Sequence, residues 1–172
     1  MELGWYGLAG HVDDPGVLLD EVRDGERLGL GSCFISERFN VKEACTLGGA
    51  AGAVSEELRI ITGATNHNTR HPMVSAAYGS TMHFLTGGRF TLGIGRGITP
   101  MQDAFGMGRI TTAQMEDFAQ LMRRLWKGEV IIGHDGPAGS WPVLHLDAGF
   151  DEDIPLGLVA FGPNSLALGG RA

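Results

Sequence analysis

The chain has 172 residues, contains few cysteines and few basic residues, and has no long apolar run. Its two cysteines, Cys33 and Cys45, lie in apolar segments without the paired spacing of a metal site. We therefore expect two reduced thiols, no disulfide and no bound metal. Lysine and arginine total 13 against 20 acidic residues, for a net charge of −7, and form no basic run, which argues against a nucleic-acid partner. No apolar stretch reaches the ~20 residues of a bilayer-spanning helix, so no membrane partner is expected.

The sequence signatures of several other protein classes are also missing. The first residues carry no basic segment ahead of an apolar one, so they do not form a signal peptide, and we expect a cytoplasmic protein. Neither the serine–histidine–aspartate order of a hydrolase nor the phosphate-binding loop of a kinase is present. These absences indicate a soluble, acidic, globular protein.

Glycine, in contrast, is abundant, with 28 residues that fall at the ends of predicted elements. Apolar patterns typical of strands and of helices alternate along the chain. They predict strands at residues 2–9, 32–36, 58–62, 89–97 and 154–160, helices at 17–28, 41–54, 72–85 and 165–172, a loop at 98–110 and a hairpin at 130–147. The clearest helix lies between Thr111 and Gly128, because a Thr111–Gln114 capping box precedes a periodic apolar face.

This alternation predicts an α/β fold with a parallel sheet and right-handed crossovers. Two architectures fit, an open doubly wound sheet and a (β/α)₈ barrel. A full barrel needs about 250 residues, and the chain supplies roughly five βα units, so length alone favours the open sheet. In both architectures ligands bind at the carboxyl ends of the strands.

The fourth predicted strand runs from Arg89 into glycines at alternate positions, Gly93, Gly95 and Gly97. This spacing is not the Gly-x-Gly-x-x-Gly of a dinucleotide site, and a loop containing Pro100 follows instead of a helix. Without Cβ atoms, the backbone here could lie close against a flat or charged group. The alternative is a glycine-rich strand end that binds nothing.

Polar residues follow each of the five predicted strands. In chain order they are His11, then Glu37 and Arg38, then Thr65 and His67, then Arg96, and last the turn Gly162-Pro163-Asn164-Ser165. The free N–H groups and the hydroxyl of this last turn suit a phosphate at a helix N-terminus. Ordinary capping of that helix by Asn164 or Ser165 is the alternative.

Five motifs, in this order along the chain, resemble the luciferase-like monooxygenase superfamily and, within it, the oxidoreductases that use the deazaflavin coenzyme F420. They are Ser36-Glu37-Arg38-Phe39, Thr62-Gly63-Ala64-Thr65, Gly88-Arg89-Phe90 leading to Leu92-Gly93-Ile94-Gly95-Arg96-Gly97, Leu125-Trp126-Lys127-Gly128, and Ala160-Phe161-Gly162-Pro163-Asn164-Ser165. The resemblance implies a TIM (β/α)₈ barrel of the bacterial luciferase-like type, incomplete here. Residues 1–172 would form one partial barrel domain, the N-terminal half, with the hairpin at 130–147 inserted in it. A homo-oligomer, or association with the missing half barrel, is expected.

The resemblance also implies where a cofactor would bind. Its ring would lie over the strand ends, beside a turn that holds a non-proline cis peptide at Gly63–Ala64 or Ala64–Thr65. The implied cofactor-binding residues are Arg38, Gly63, Ala64, Thr65, Gly95, Arg96 and Gly97 around the ring, and Gly162, Pro163, Asn164 and Ser165 at the phosphate.

Two departures from the sugar-phosphate dehydrogenase branch of this superfamily limit what can be carried over. Arg38 stands where that branch has a histidine, and Ile98 stands where it has a glutamate. Arginine cannot act as a base near neutral pH, so neither the proton chemistry nor the substrate of that branch is implied. His67, Glu37 and His11 are left as the candidate catalytic acids and bases.

The resulting expectation is an oxidoreductase that transfers hydride between coenzyme F420 and an unknown small organic substrate. One alternative is an FMN-dependent monooxygenase that uses oxygen. Another is a non-catalytic truncated protein that binds a flavin or serves as a partner subunit.

Overall fold

The computed structural model describes residues 2–10, 12–39 and 41–171, which form an α/β fold. The elements are β1 (Gly4–Tyr6), α1 (Leu18–Arg27), β2 (Ser32–Ile35), α2 (Ala44–Val54), β3 (Arg59–Thr62), α3 (Pro72–Leu85), β4 (Phe90–Ile94), α4 (Thr99–Ala104), α5 (Thr112–Trp126), β5 (Ile131–Gly136), β6 (Gly139–Leu144), β7 (Leu156–Leu158) and α6 (Pro163–Gly169).

Five strands form a parallel sheet in the order β1-β2-β3-β4-β7. The order follows the chain without the reversal that defines a doubly wound sheet. In addition, α1 packs on α2, α2 on α3, and α3 on α5, as a layer of successive helices. The open sheet that length alone favours is therefore wrong, and the structure is part of a barrel with five of its strands present.

The core lies between this sheet and the helices. Side chains of β2, β3 and β4 that face the helices are fully buried, among them Ile35, Ile60 and Phe90. The predicted apolar face of α5 is confirmed, because Met115, Phe118, Met122, Leu125 and Trp126 are all buried. Its capping box is confirmed as well, with Thr111 Oγ1 accepting from Gln114 N and Thr111 N donating to Gln114 Oε1.

Helix α3 has the predicted bounds, and its buried residues include Ala76 and Met82. Ala77 and Leu85 are exposed, whereas Ser75 and Gly79 are buried. The ring of Trp126 occupies the space beside Gly79, since a Cβ added there would lie 2.5 Å from the ring. Glycine at this position therefore allows a large side chain of α5 to pack against α3.

The segment after β4 also differs from the prediction. Residues 98–110 were expected to form a loop, but Thr99–Ala104 is the helix α4. This helix has only six residues and begins with Pro100 in its first turn. It is too short to show an apolar period. Proline is accepted in the first turn of a helix but usually indicates a loop or a helix end elsewhere, so Pro100 favoured the loop prediction.

The predicted hairpin is present as the antiparallel pair β5–β6, separate from the main sheet. The strands extend to Gly136 and Gly139, so Pro137 and Ala138 form the turn between them. Asp117 of α5 holds the hairpin: its Oδ2 accepts from Ala138 N at 2.9 Å and lies 3.1 Å from His134 Nε2.

Within the described part of the chain, no helix combines the length and the apolar character that crossing a bilayer requires. Cys33 is buried and Cys45 half-buried, both as free thiols. Burial raises the pKa of each thiol to about 12.

Candidate functional site

The carboxyl ends of the five parallel strands surround a cavity of about 640 Å³. This volume lies within the range of small-molecule sites. Eleven of the residues predicted from the sequence line it: Glu37, Arg38, Gly63, Ala64, Gly95, Arg96, Gly97, Gly162, Pro163, Asn164 and Ser165. Loops that are far apart in the chain thus meet at one site, because the carboxyl ends of parallel strands share one edge of the sheet.

Two predicted residues that the structure describes, Thr65 and His67, are not among those that line the cavity. Thr65 is buried behind the wall, where its hydroxyl donates to Glu37 Oε2 at 2.7 Å. His67 is turned away from the cavity. His11 lies outside the described residues.

One wall of the cavity consists of backbone and small residues. The peptide bond Gly63–Ala64 is cis, at the first of the two positions implied by the resemblance. A Cβ on Gly95 would lie 3.1 Å from the Cβ of Ala64, so glycine permits this close approach. Gly97 has a φ of +71°, in the left-handed region that favours glycine. A flat ring could therefore lie against this wall without meeting side chains.

Arg96 follows β4, and its side chain reaches the first turn of α6. Its Nη2 donates to Ser165 Oγ at 3.1 Å and to Thr112 Oγ1. Its Nε is buried and has no hydrogen-bond partner among the described residues. A guanidinium that meets hydroxyl groups and retains an unpartnered buried N–H can still receive an anion.

Glu37 lines the cavity, but its carboxylate is occupied by the protein. The side chain is 0% exposed. Oε1 accepts from Ala44 N at 3.0 Å, and Oε2 accepts from Thr65 Oγ1 and from Arg70 Nη1 at 2.7 and 2.9 Å. The arrangement suits an anchor for the surrounding loops better than the acid or base predicted from the sequence.

The other catalytic candidate, His67, is a core residue in the structure. It is 7% exposed and packs edge-on against Phe118, with 5.4 Å between the ring centroids. Burial lowers the pKa of His67 to about 4, and the charge of Asp117 opposes this shift without cancelling it. The position of His67 in a polar loop suggested a cavity residue, but the ring turns toward α5 because that helix presents an aromatic face.

A pH dependence of stability follows from this burial. The folded protein binds the His67 proton with a pKa of about 4, below the ordinary value of 6.5, so between these values the unfolded chain binds more protons. The contribution of neutral His67 to the free energy of unfolding is therefore fully present above about pH 6.5, and it decreases as the pH falls toward 4. From pH 7 to pH 5 we expect the free energy of unfolding to decrease by on the order of 2 kcal/mol because of His67. Urea unfolding at both pH values measures it.

The matched variants for this measurement are His67→Phe, which keeps an aromatic ring beside Phe118, and His145→Gln, which alters an exposed histidine. His67→Phe should reduce the loss of stability between pH 7 and pH 5, and His145→Gln should leave it unchanged. An equal pH dependence in wild type and His67→Phe would contradict the assignment.

The sequence reasoning missed several residues around the cavity. Tyr6 and Ser36 line it, and their hydroxyl groups hydrogen-bond to each other. Lys42 is only 4% exposed; its Nζ lies 4.7 Å from the centre of the Tyr6 ring and donates to the carbonyls of Gly7 and Leu8 at 2.8 and 2.9 Å. Tyr6 ends β1 in the structure but lies inside the predicted strand 2–9, and nothing local marks Lys42 as buried.

The chain is similar to several characterised proteins. It is 28% identical over 195 residues to the F420-dependent glucose-6-phosphate dehydrogenase of Intrasporangium calvum, covering 100% of this chain and 56% of that protein. The chain spans about half the length of the curated relatives it matches.

Solved structures show the same fold. The coenzyme F420-dependent tetrahydromethanopterin reductase of Methanopyrus kandleri superposes with a TM-score of 0.81 at 18% identity, over 100% of this chain and 53% of that one. The FMN-bound oxygenating component of the 3,6-diketocamphane monooxygenase of Pseudomonas putida superposes with a TM-score of 0.71 at 20% identity, over 92% and 51%.

The family described as luciferase-like monooxygenase matches residues 1–172. The motifs at the strand ends, the cavity they form and this match over the whole length agree, and the chain belongs to the luciferase-like monooxygenase family.

Proposed function

We propose that the cavity binds a deazaflavin cofactor of the F420 type, and that the protein transfers hydride between this cofactor and a small organic substrate. The observation that carries the proposal is a wall free of large side chains, with an incompletely partnered arginine at its edge. Such a cavity accommodates a flat ring and an anionic tail. The F420 dependence of the curated relative and of a structural neighbour supports the choice of cofactor.

When bound, the cofactor would supply the hydride chemistry, while the protein binds, orients and shields it. Gly63, Ala64, Gly95 and Gly97 would lie beside the ring, with Arg38 at the mouth and Thr65 behind the wall. Arg96, Gly162, Pro163, Asn164 and Ser165 would hold the phosphate, through the guanidinium, the hydroxyl and the backbone N–H groups.

The substrate is proposed only as a small organic molecule. The relative and the neighbour are named for different substrates, glucose-6-phosphate and tetrahydromethanopterin. Arg38 and Ile98, the two positions that depart from the sugar-phosphate dehydrogenase branch, both line this cavity. The choice of substrate is therefore not carried over from that branch. His11 stays a candidate acid or base, and Glu37 is proposed as an anchor.

An FMN-dependent monooxygenase is the second candidate, because a neighbour with FMN bound shares the fold. The cavity features that suit F420, a bare wall and an anion-binding arginine, suit FMN as well. A non-catalytic flavin-binding protein or partner subunit is the third candidate, because the described residues supply five parallel strands of an incomplete barrel.

We also propose that further strands complete the barrel, from a longer protein or from a second copy of this chain. The sheet face opposite the helices exposes Tyr6, Phe34 and Val159 at 36–37%. In the described part of the chain, β1 and β7 each have one sheet neighbour. Unpaired parallel edges of this kind favour association.

Fluorescence titration of the purified protein with F420 and, separately, with FMN tests the proposed function. We expect saturable binding of F420 with one site per chain and weaker binding of FMN. Binding of FMN without affinity for F420 would support the monooxygenase instead. If neither binds at concentrations of about 1 mM, which corresponds to roughly 4 kcal/mol of binding free energy, a cofactor site in this chain is excluded.

A further inference from the structure

Arg70 does not line the cavity, yet its side chain contacts three separate segments, and two of them contribute residues to the cavity wall. It lies between β3 and α3 and is 18% exposed. Nη1 donates to Glu37 Oε2 at 2.9 Å and to Thr65 Oγ1 at 2.8 Å, and Nη2 donates to Glu43 Oε1. One guanidinium thus joins the loop after β2, the loop after β3 and the start of α2.

Two of these partners, Glu37 and Thr65, are hydrogen-bonded to the wall. Glu37 N donates to the carbonyl of Ala64 at 3.0 Å, which connects the residue that carries the buried carboxylate to the Gly63–Ala64 segment. Thr65 N donates to the carbonyl of Gly93, and Thr65 O accepts from Gly95 N, both at 2.9 Å. The hydroxyl of Thr65 accepts from Arg70 and donates to Glu37, which closes the network.

Glu43 connects the same guanidinium to α2. Its carboxylate accepts from the N–H groups of Cys45 and Thr46 at 2.9 and 2.7 Å and so caps that helix. Burial lowers the pKa of Arg70, but the hydrogen bond to Glu37 and the negative charges of Glu37 and Glu43 raise it by more. The surrounding carboxylates therefore stabilise the charged form of Arg70.

We propose that Arg70 is a positioning residue for the cofactor: through Glu37 and Thr65 it holds the Gly63–Thr65 turn against Gly95, and so keeps the bare wall in place. The planar guanidinium suits this role because it can donate in several fixed directions at once, which a lysine cannot. The consequence for the cofactor rests on the proposed function, whereas the effect on the wall does not depend on it.

Hydrogen exchange of the protein without cofactor tests whether Arg70 holds the Gly63–Thr65 turn in place. Arg70→Met keeps the aliphatic stem and removes the charge; Arg70→Met with Glu37→Gln also avoids a buried unpaired carboxylate, in case the single variant does not fold. Arg124→Met is the matched control, since it breaks the exposed Arg124–Glu129 pair on α5. We expect exchange in the segments 63–66 and 93–97 to rise roughly tenfold or more in the Arg70 variants and to stay at the wild-type rate in Arg124→Met.

Affinity for F420 tests whether the position of this turn matters for cofactor binding. We expect roughly tenfold weaker binding in the double variant. Exchange that stays at the wild-type rate in 63–66, or that rises equally over β1 and β2, would overturn the proposal, because the ion pair would then be either inert or only generally stabilising. Raised local exchange with wild-type affinity would overturn the link to the cofactor. If the wild type itself binds no cofactor, the proposed function fails, and the exchange comparison still decides whether Arg70 holds the wall.

Discussion

Replacement of Gly93 by alanine is expected to destabilise the fold by roughly 3 kcal/mol or more. A Cβ at this position would lie 1.8 Å from the carbonyl oxygen of Thr62 on the neighbouring strand. The clash is with backbone, so no change of rotamer relieves it and β3 and β4 would have to separate. Separation would also break the contacts of the Thr62 hydroxyl, which accepts from Gly93 N at 2.7 Å and donates to Gly93 O at 2.8 Å.

The matched control is Gly157→Ala, because Gly157 pairs with Gly93 in the register of β4 and β7. An added Cβ there would meet Gly93 Cα at 3.6 Å, an ordinary contact. We expect a change of less than about 1 kcal/mol in this control. Urea unfolding of both variants measures the difference, and similar values for the two would show that the close approach of β3 and β4 is not required.

Replacement of Ser165 by aspartate is expected to weaken cofactor binding by roughly tenfold to a hundredfold. Ser165 Oγ lies 3.1 Å from Arg96 Nη2. A carboxylate at this position would pair with Arg96 and would place a negative charge where the phosphate is proposed to bind. Fluorescence titration with F420 measures the loss.

Ser165→Asn controls for size, because asparagine has the shape of aspartate without its charge. It should bind F420 more tightly than Ser165→Asp does. The loss in Ser165→Asp should not come from unfolding, since a negative charge in the first turn of α6 is compatible with the helix dipole, and thermal melting of both variants checks this. Equal affinity of wild type and Ser165→Asp would remove this turn from the site.

Local features of the sequence were sufficient for most elements. The apolar face and capping box of α5 lie within 17 residues of each other, so a single stretch contains the whole signal. For the same reason the sequence predicts the order of strands and helices. It also predicts the turns that contain Glu37, Ala64, Arg96 and Ser165. The short helix α4 was not, because six residues cannot show a helical period.

The orientation of side chains in loops required the structure. His67 and Glu37 have the residue types of an acid and a base, but one packs against Phe118 and the other is fully bonded by Ala44, Thr65 and Arg70. Arg70 itself stands in an apparently ordinary polar loop. Its role depends on partners 27 and 33 residues away, Glu43 and Glu37.

By itself, then, the sequence determined the alternation of strands and helices, the family motifs and the set of loops that could carry a site, because each depends on residues close together in the chain. Only the tertiary structure decided that the sheet follows barrel order, that the glycines of β4 form a bare wall beside Gly63 and Ala64, and that Arg96 and Ser165 meet. Strand order and side-chain partners arise from contacts between distant segments, and these are set by packing of the whole sheet against its helices rather than by any local pattern.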